Sequence, residues 1–128
     1  MRLLLDTQLL LWSAGFFERF SRDARDLLEA PESQLLFSAA SLWEISIKHA
    51  LGRADFRVDP FLLRRGLVDG GYEELPVTSA HALATVGLPA LHRDPFDRVL
   101  IAQATVEGAL LLTADTIIAR YPGPIRLV

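Results

Sequence analysis

The sequence predicts an α/β protein with a mostly parallel central sheet and helices on both of its faces. Short, continuously apolar runs at residues 2–6, 35–38 and 109–113 suit strands that are buried on both faces. Segments with helical spacing or helix caps alternate with these runs, which favours parallel strands joined by crossover helices. With 128 residues, of which 51% are hydrophobic, the chain is long enough for one core, and we expect a single domain over residues 1–128.

Helices are predicted where a capping residue precedes apolar residues at helical spacing. The first follows the opening strand at residues 9–12, and the second, at 21–30, carries an apolar stripe of Ala24, Leu27 and Leu28. Ser38 is expected to cap a third helix that runs to about residue 51. Further along, the pattern predicts a short edge strand at 73–77, a small helix at 78–86, a helix at 116–121 and a last strand at 125–128.

Two acid–proline pairs mark the beginnings of two more helices. In Asp59-Pro60 and in Asp94-Pro95, the aspartate can cap free N–H groups and the proline fits the first helical position. In the second of these helices Asp97 takes the third position, near the positive end of the helix dipole.

The composition excludes several kinds of site. Cysteine is absent, which rules out disulfides and thiolate metal sites. The net charge of −3 gives no general sign of nucleic-acid binding. Lys48 is nonetheless the only lysine among 13 basic residues, and arginine suits bidentate phosphate contacts, although codon bias would give the same ratio. Asp6 and Gln8 interrupt the apolar N-terminal run, which argues against a signal peptide. No stretch approaches the ~18 apolar residues of a membrane helix. We therefore expect a soluble cytoplasmic protein without membrane association.

Four carboxylates lie on separate elements, and the expected fold can bring them together. Because the carboxyl ends of parallel strands meet at one edge of a sheet, acids that follow these strands or begin nearby helices gather there. The four are Asp6 after the first strand, Glu44 on the third helix, Asp97 near the start of its helix and Asp115 after the strand at 109–113. Each also has a purely structural interpretation, as a helix cap for the three aspartates and as an ion pair with Lys48 for Glu44.

The chemistry of such a cluster favours a divalent cation. Carboxylates that lie close together repel one another unless they are protonated or bind a metal. Oxygen ligands without histidine or cysteine select Mg²⁺ or Mn²⁺, which suit phosphoryl chemistry. Gln8 excludes phosphatases of the haloacid dehalogenase type, which need a second aspartate two residues after the first. His81 and His92 have no second histidine at metal-ligand spacing and are interpreted as structural.

Four segments of the chain resemble the PIN-domain family, and in particular the VapC-type toxin ribonucleases of type II toxin–antitoxin systems. They are LLLDT at 3–7, SAASLWEISIK at 38–48, HRDPFDRVLIAQA at 92–104 and LLTAD at 111–115, and they span nearly the whole chain. The resemblance implies a three-layer α/β/α sandwich and an Mg²⁺- or Mn²⁺-dependent endoribonuclease that hydrolyses RNA phosphodiester bonds through a metal-activated water.

The resemblance also implies roles for particular residues. Asp6, Glu44 and Asp97 are expected to hold the principal metal ion, and Asp115 to complete that site or a weaker second one. Three further positions match supporting residues of the family, namely Thr7, Asp94 and Thr113. Relatives often have histidine after the first motif, where this chain has Gln8, and this difference concerns the fit of the substrate.

The partners implied by the resemblance are RNA, a second copy of the chain and an antitoxin. Such proteins are usually homodimers, inhibited by a VapB-like antitoxin whose C-terminal segment covers the acidic pocket, often with an arginine among the carboxylates. A cluster of arginines forms either a solvated helix face or a rim of candidate RNA contacts, and its members are Arg53, Arg57, Arg64 and Arg65.

Two other classes of protein compete with this interpretation. A catalytically silent PIN module would bind RNA or a protein partner without cleaving anything, and the presence of all four acids argues against it. A phosphoacceptor receiver domain would also be α/β with an acidic Mg²⁺ pocket. It requires paired acids early in the chain and a lysine after a late strand, and Lys48 is misplaced for that role.

Overall fold

The computed structural model of the chain describes residues 1–52 and 56–128 and contains a five-stranded sheet. Its strands are β1 (Arg2–Leu5), β2 (Gln34–Ser38), β3 (Glu73–Leu75), β4 (Leu110–Thr113) and β5 (Ile125–Leu127). They lie in the order β3-β2-β1-β4-β5, and every pair of neighbours is parallel. The predicted parallel sheet is confirmed, with the apolar run at the N-terminus as its central strand.

Six helices cover the sheet in the part of the chain that the structure describes. They are α1 (Thr7–Gly15), α2 (Arg22–Glu29), α3 (Ala39–Ala50), α4 (Pro60–Asp69), α5 (Ser79–Ala84) and α6 (Pro95–Glu107). No helix among the described residues combines the length and the apolar character that crossing a membrane requires.

The sheet separates two apolar cores, one on each face. On one face Leu3, Leu5 and Phe37 pack with apolar side chains of α1, α2, α3 and α4. On the other, Leu4 and Leu36 pack mainly with α6. Successive side chains of a strand point to opposite faces, so the fully buried leucines of β1 contribute to both cores, each by roughly 2 kcal/mol. The three-layer α/β/α arrangement expected from the sequence is therefore confirmed.

The predicted helix caps are present. Asp59 Oδ1 accepts a hydrogen bond from the Phe61 N–H, and Asp94 Oδ1 accepts one from the Phe96 N–H, each at 2.9 Å. Ser38 caps α3 through the Ala40 N–H at 3.0 Å. Because these side chains satisfy N–H groups that the first helical turn leaves free, they determine where the helices begin.

Three elements differ from the sequence prediction. The first helix extends over Thr7–Gly15 instead of residues 9–12, because Asp6 caps it from outside. The segment predicted as a helix at 116–121 forms one 3-10 turn, Ile118–Arg120, since Pro122 disfavours helical backbone at the residue before it. The helix predicted at 78–86 ends at Ala84 and continues as a separate 3-10 turn.

The register of the central strands places the ends of β1 and β4 side by side. Leu5 pairs with Leu112, and the Asp6 N–H donates to the Leu112 carbonyl oxygen at 3.1 Å. Asp6 and Thr113 therefore leave the sheet as neighbours at its carboxyl edge. This edge is where an open parallel sheet forms a crevice.

Candidate active site

A cleft of about 570 Å³ opens at the carboxyl edge of the sheet. Its lining includes the four acids that the sequence singles out and a fifth from the same motif, namely Asp6, Glu44, Asp94, Asp97 and Asp115. These side chains come from the end of β1, the middle of α3, the beginning of α6 and the segment after β4. The structure thus brings together acids that are more than 100 residues apart in the chain.

Asp6 is buried and is held by two hydrogen bonds. Its Oδ1 accepts from the Leu9 N–H at 2.9 Å, which caps α1, and its Oδ2 accepts from the Thr113 hydroxyl. The pKa of Asp6 is raised to about 6, chiefly by burial and to a smaller extent by the charges of Asp115 and Glu44, although both hydrogen bonds act in the opposite direction. A cation in the cleft would relieve this penalty on the charged form.

Glu44 points inward from α3 and still forms the ion pair expected at the surface. Its Oε1 accepts from the Thr7 hydroxyl at 2.8 Å, and its Oε2 lies 3.0 Å from Lys48 Nζ. The hydroxyl of Ser41 is also within 3.0 Å of the Thr7 hydroxyl. Glu44 therefore lines the cleft while it forms the ion pair, and this pair brings Lys48 to the wall of the cleft.

Asp94 and Asp97 occupy the first turn of α6 with different contacts. Asp94 caps the helix, whereas the carboxylate of Asp97 extends toward the other acids and lies 3.0 Å from His92 Nε2. Burial raises the pKa of Asp97 to about 7, and the charges of Asp94, Glu44, Asp6 and Asp115 add to this effect. Asp97 is thus the acid for which ionisation without a cation is most costly among those whose pKa shift is resolved.

Asp115 also caps a turn, and it shares a neighbour with Asp97. Its Oδ1 accepts from the Ile117 N–H at 2.7 Å, and its backbone N–H donates to the Thr113 hydroxyl at 3.0 Å. Its Oδ2 lies 4.0 Å from His92 Nε2. The sequence interpretation of His92 as structural missed its place beside two acids. The available signal was its position in the same motif as Asp97, whereas its proximity to Asp115 depends on the fold.

The donor set fits a hard divalent cation. Five carboxylates line one cleft, and carboxylate oxygens are the ligands that Mg²⁺ and Mn²⁺ prefer. Ligand atoms of His92, Asp94 and Asp97 all lie within 4.8 Å of one another. The raised pKa values of Asp6 and Asp97 have the physical cause expected of ligands without their ion, namely burial among like charges.

The arginine cluster lies away from this cleft in the described part of the chain. Arg53 is outside the described residues. Arg57 lines a different cleft, of about 550 Å³, between α1 and α4, and Arg64 Nε lies 3.2 Å from Glu74 Oε1. Arg65 is exposed on α4. Among the described residues, the basic groups that line the acidic cleft are Lys48 and Arg19, neither of which the sequence indicated for this position.

Fold and site together define an α/β/α protein with an acid-lined crevice at the carboxyl edge of a parallel sheet. The model of the PIN domain family matches residues 3–124, and the chain belongs to this family. The resemblance noted from the four sequence motifs is thereby confirmed. No curated protein matches the chain in sequence.

Several solved structures share the fold over nearly their whole length. One is VapBC2 from Rickettsia felis bound to a DNA fragment from its promoter, with 15% identity, a TM-score of 0.73 and coverage of 99% of this chain and 98% of that one. Another is DNA-bound VapBC from Salmonella typhimurium, with 18% identity, a TM-score of 0.66 and coverage of 98% and 97%. A third is VapBC-1 from nontypeable Haemophilus influenzae, with 18% identity, a TM-score of 0.63 and coverage of 99% and 98%.

Proposed function

We propose that this chain is a metal-dependent endoribonuclease that acts as the toxin of a toxin–antitoxin pair. One observation carries the proposal: carboxylates from four separate segments converge on a single cleft of a PIN fold. A protein gains little stability by gathering like charges in a half-buried crevice, so a function that needs the charges accounts for their position.

Within the proposal, the side chains that would hold Mg²⁺ or Mn²⁺ are those of Asp6, Glu44, Asp97 and Asp115. A bound ion supplies Lewis acidity, which lowers the pKa of a water molecule and neutralises charge on the attacked phosphate. Thr113 fixes one oxygen of Asp6, and Thr7 fixes one oxygen of Glu44 at 2.8 Å. These hydroxyls orient the carboxylates, and each carboxylate oxygen keeps a further lone pair with which it could bind a cation.

Two basic side chains are positioned to bind the RNA backbone. Lys48 and Arg19 both line the cleft. The guanidinium carbon of Arg19 lies 4.6 Å from the centre of the Phe16 ring, and this stacking orients its N–H groups for a bidentate phosphate contact. We assign them to phosphates beside the scissile one, since the carboxylates would repel a phosphate that arrived without such contacts.

The proposed reaction is hydrolysis of the bond between phosphorus and the 3′ oxygen. The oxygen of water joins the phosphorus, the 3′ oxygen leaves and takes up a proton, and the products carry a 5′-phosphate and a 3′-hydroxyl. The 2′-hydroxyl takes no part, so the products differ from those of ribonucleases that form a 2′,3′-cyclic phosphate.

Cleavage of a labelled structured RNA tests the proposal. We expect cleavage with Mg²⁺ or Mn²⁺, none with EDTA, and 5′-phosphate ends on the products. The control is Asp97→Asn protein purified in parallel, because a contaminating nuclease would cut equally in both preparations. Undiminished cleavage in EDTA would refute the metal mechanism, and metal-dependent RNA binding without any cleavage would support the silent PIN module instead.

The proposed antitoxin is a VapB-like protein whose C-terminal segment covers the acidic cleft. The Rickettsia, Salmonella and Haemophilus structures named above are described as VapBC. A guanidinium can replace a cation among carboxylates, and this supports an arginine of the antitoxin as the inhibiting group. Co-expression with the product of a short adjacent upstream reading frame should yield a stable complex without ribonuclease activity. If the two products do not associate, the pairing is wrong.

A homodimer is also part of the proposal. A groove beside the cleft is lined by eight residues that are all apolar, among them Trp43, Val77 and Phe96. Trp43 is 65% exposed although it packs edge-to-face on Phe96, and a contiguous apolar surface of this kind is typical of an interface. Light scattering should give a dimeric mass that Val77→Glu lowers. Leu83→Glu, at an exposed site on α5 outside the groove, is the matched control.

A further inference from the structure

Hydrogen bonds to its backbone hold His92 beside the acids of the cleft. The Tyr121 hydroxyl accepts a hydrogen bond from the His92 N–H at 2.6 Å and donates one to the His92 carbonyl oxygen at 3.3 Å. Tyr121 is buried in the core beside α6, with 4% of its surface exposed. A hydroxyl fixed by the core therefore fixes the place of His92.

The segment before His92 is held in the same way by Arg98 of α6. The Arg98 guanidinium donates to the carbonyl oxygens of Pro89, Thr85 and Leu88 at 2.8, 3.1 and 3.3 Å. It also donates to the Tyr121 hydroxyl at 3.3 Å. One side chain thus ties three carbonyl groups of an irregular segment to the helix that carries Asp97.

The imidazole ring of His92 has a defined orientation. Its Nδ1 accepts a hydrogen bond from the Asp94 N–H at 3.4 Å, which assigns the ring hydrogen to Nε2. This Nε2 lies 3.0 Å from Asp97 Oδ2, within hydrogen-bond distance, and 4.0 Å from Asp115 Oδ2. The His92 side chain is 24% exposed, so it is more accessible than Asp97 and less accessible than Asp115.

We infer that His92 is a positioning residue of the metal site. Its Nε2–H holds one oxygen of Asp97 so that the other oxygen faces the cation, and Tyr121 and Arg98 hold His92 in place for this purpose. The inference rests on the proposed function, since it assigns a role toward the metal that the four acids would bind. Partners that orient a ligand in this way commonly change metal affinity by 10- to 100-fold when they are removed.

Calorimetric titration of the protein with Mg²⁺ tests this role without relying on activity. We expect His92→Leu to weaken Mg²⁺ binding by about 10-fold or more. His92→Gln should bind nearly as tightly as the wild type, because its amide N–H can reach the position of the imidazole Nε2–H. Tyr121→Phe leaves the imidazole of His92 in the protein but removes both hydrogen bonds to the His92 backbone. The affinity of this variant for Mg²⁺ should fall between those of His92→Gln and His92→Leu. His49→Gln, at an exposed histidine of α3, is the matched control and should bind as the wild type does.

The outcomes separate this inference from the proposal beneath it. If the wild type binds Mg²⁺ and His92→Leu binds it equally well or more tightly, the positioning role is wrong and the metal proposal stands. Equal weakening by Leu and Gln would also refute it, because the feature that matters would then not be the N–H donor. A folded wild type that binds neither Mg²⁺ nor Mn²⁺ would overturn both.

Discussion

At the scale of single residues, most of the acids in the cleft have two roles. Asp6, Asp94 and Asp115 each accept a hydrogen bond from a backbone N–H and so stabilise the start of a helix or turn. Asp97 extends instead toward the other acids and His92. Its charge can therefore be removed without uncapping a helix, which makes Asp97 the residue that best separates function from stability.

We expect Asp97→Asn to abolish cleavage while leaving the metal-free protein as stable as the wild type or up to about 1 kcal/mol more stable. The physical reason is that the substitution removes one of several like charges from a half-buried cleft. It should also remove most of the rise in Tm that Mg²⁺ gives the wild type by binding the native state. Thermal and urea unfolding with Mg²⁺ or EDTA, beside a cleavage assay, measure all three effects.

Asp94→Ala is the comparison for this variant, because it removes a cap from the same helical turn. Its free energy of unfolding should fall by about 1 kcal/mol in EDTA. If Asp97→Asn loses stability to the same extent, still cleaves RNA and still responds to Mg²⁺, then Asp97 stabilises the helix and is not a metal ligand.

Binding of Mg²⁺ should weaken below pH 7. The pKa of Asp97 is raised to about 7, chiefly by burial, so at pH 6 a proton competes with the cation and at pH 8 it does not. The rise in Tm at a fixed, subsaturating Mg²⁺ concentration should therefore be larger at pH 8 than at pH 6. Equal rises at the two pH values would contradict this prediction.

In EDTA the contribution of Asp97 to the free energy of unfolding falls as the pH rises, whereas the binding of Mg²⁺ strengthens. A carboxyl group whose pKa is raised in the folded state binds its proton more tightly there than in the unfolded chain. Its contribution is thus fully present below pH 4 and is lost as the pH rises through 7. The difference between the wild type and Asp97→Asn, followed over this range, isolates the contribution from that of other groups.

At the scale of elements, helix ends explain what the sequence predicted well. Asp59, Asp94 and Ser38 were identified as caps because their side chains and the following residues suffice to define a helix start. The end of α6 is equally local, since Gly108 has φ +66°, a conformation that favours glycine. The local pattern missed the reach of α1 back to Thr7, because the helix was expected only at residues 9–12 although Asp6 had been considered as a cap.

Two glycines give a matched test at this scale. Gly108→Ala should lower the free energy of unfolding by about 1 kcal/mol, because an alanine at positive φ is strained even where a Cβ meets no atom within 4 Å. Gly66→Ala, inside α4 and also with open space around the added Cβ, should raise it by roughly 0.5–1 kcal/mol. Urea unfolding measures the free energy of unfolding of both variants. Changes of the same sign would contradict the conclusion that only Gly108 needs the conformational freedom of glycine.

At the scale of the whole molecule, the sequence predicted which acids come together in the cleft but not which basic residues accompany them. Asp6 and Asp115 follow strands whose ends meet in any parallel sheet, so their convergence could be predicted from order alone. Arg19 ends a 3-10 turn after α1 and His92 lies in the irregular segment before α6, and no periodicity in the sequence encodes the course of either segment. The arginine cluster was predicted from the proximity of its members in the sequence, which does not tell in which direction their side chains point.

Measurements of RNA binding should show whether the arginine cluster contacts phosphate groups. Alanine in place of Arg57, Arg64 or Arg65 should reduce the slope of log affinity against log salt by up to about one unit for each phosphate that the arginine neutralises in the wild type. Arg126→Ala, at an arginine that pairs with Asp23 at 2.8 Å on the far edge strand, should leave the slope unchanged. If all of these variants behave like Arg126→Ala, the cluster is a solvated helix face. The same measurement applies to Arg53→Ala, since Arg53 is the fourth arginine of the cluster.

Because most of the acids also cap a helix or turn, the structure constrains how a lineage could lose the proposed activity. Relaxed selection would permit exchange of Asp97 early, because no helix is uncapped and like-charge repulsion falls. Asp6, Asp94 and Asp115 would persist for the sake of their helices and turns long after cleavage had ceased. In related chains, retention of those three aspartates therefore says little about whether the protein still cuts RNA, whereas the residue at the position of Asp97 is the informative one.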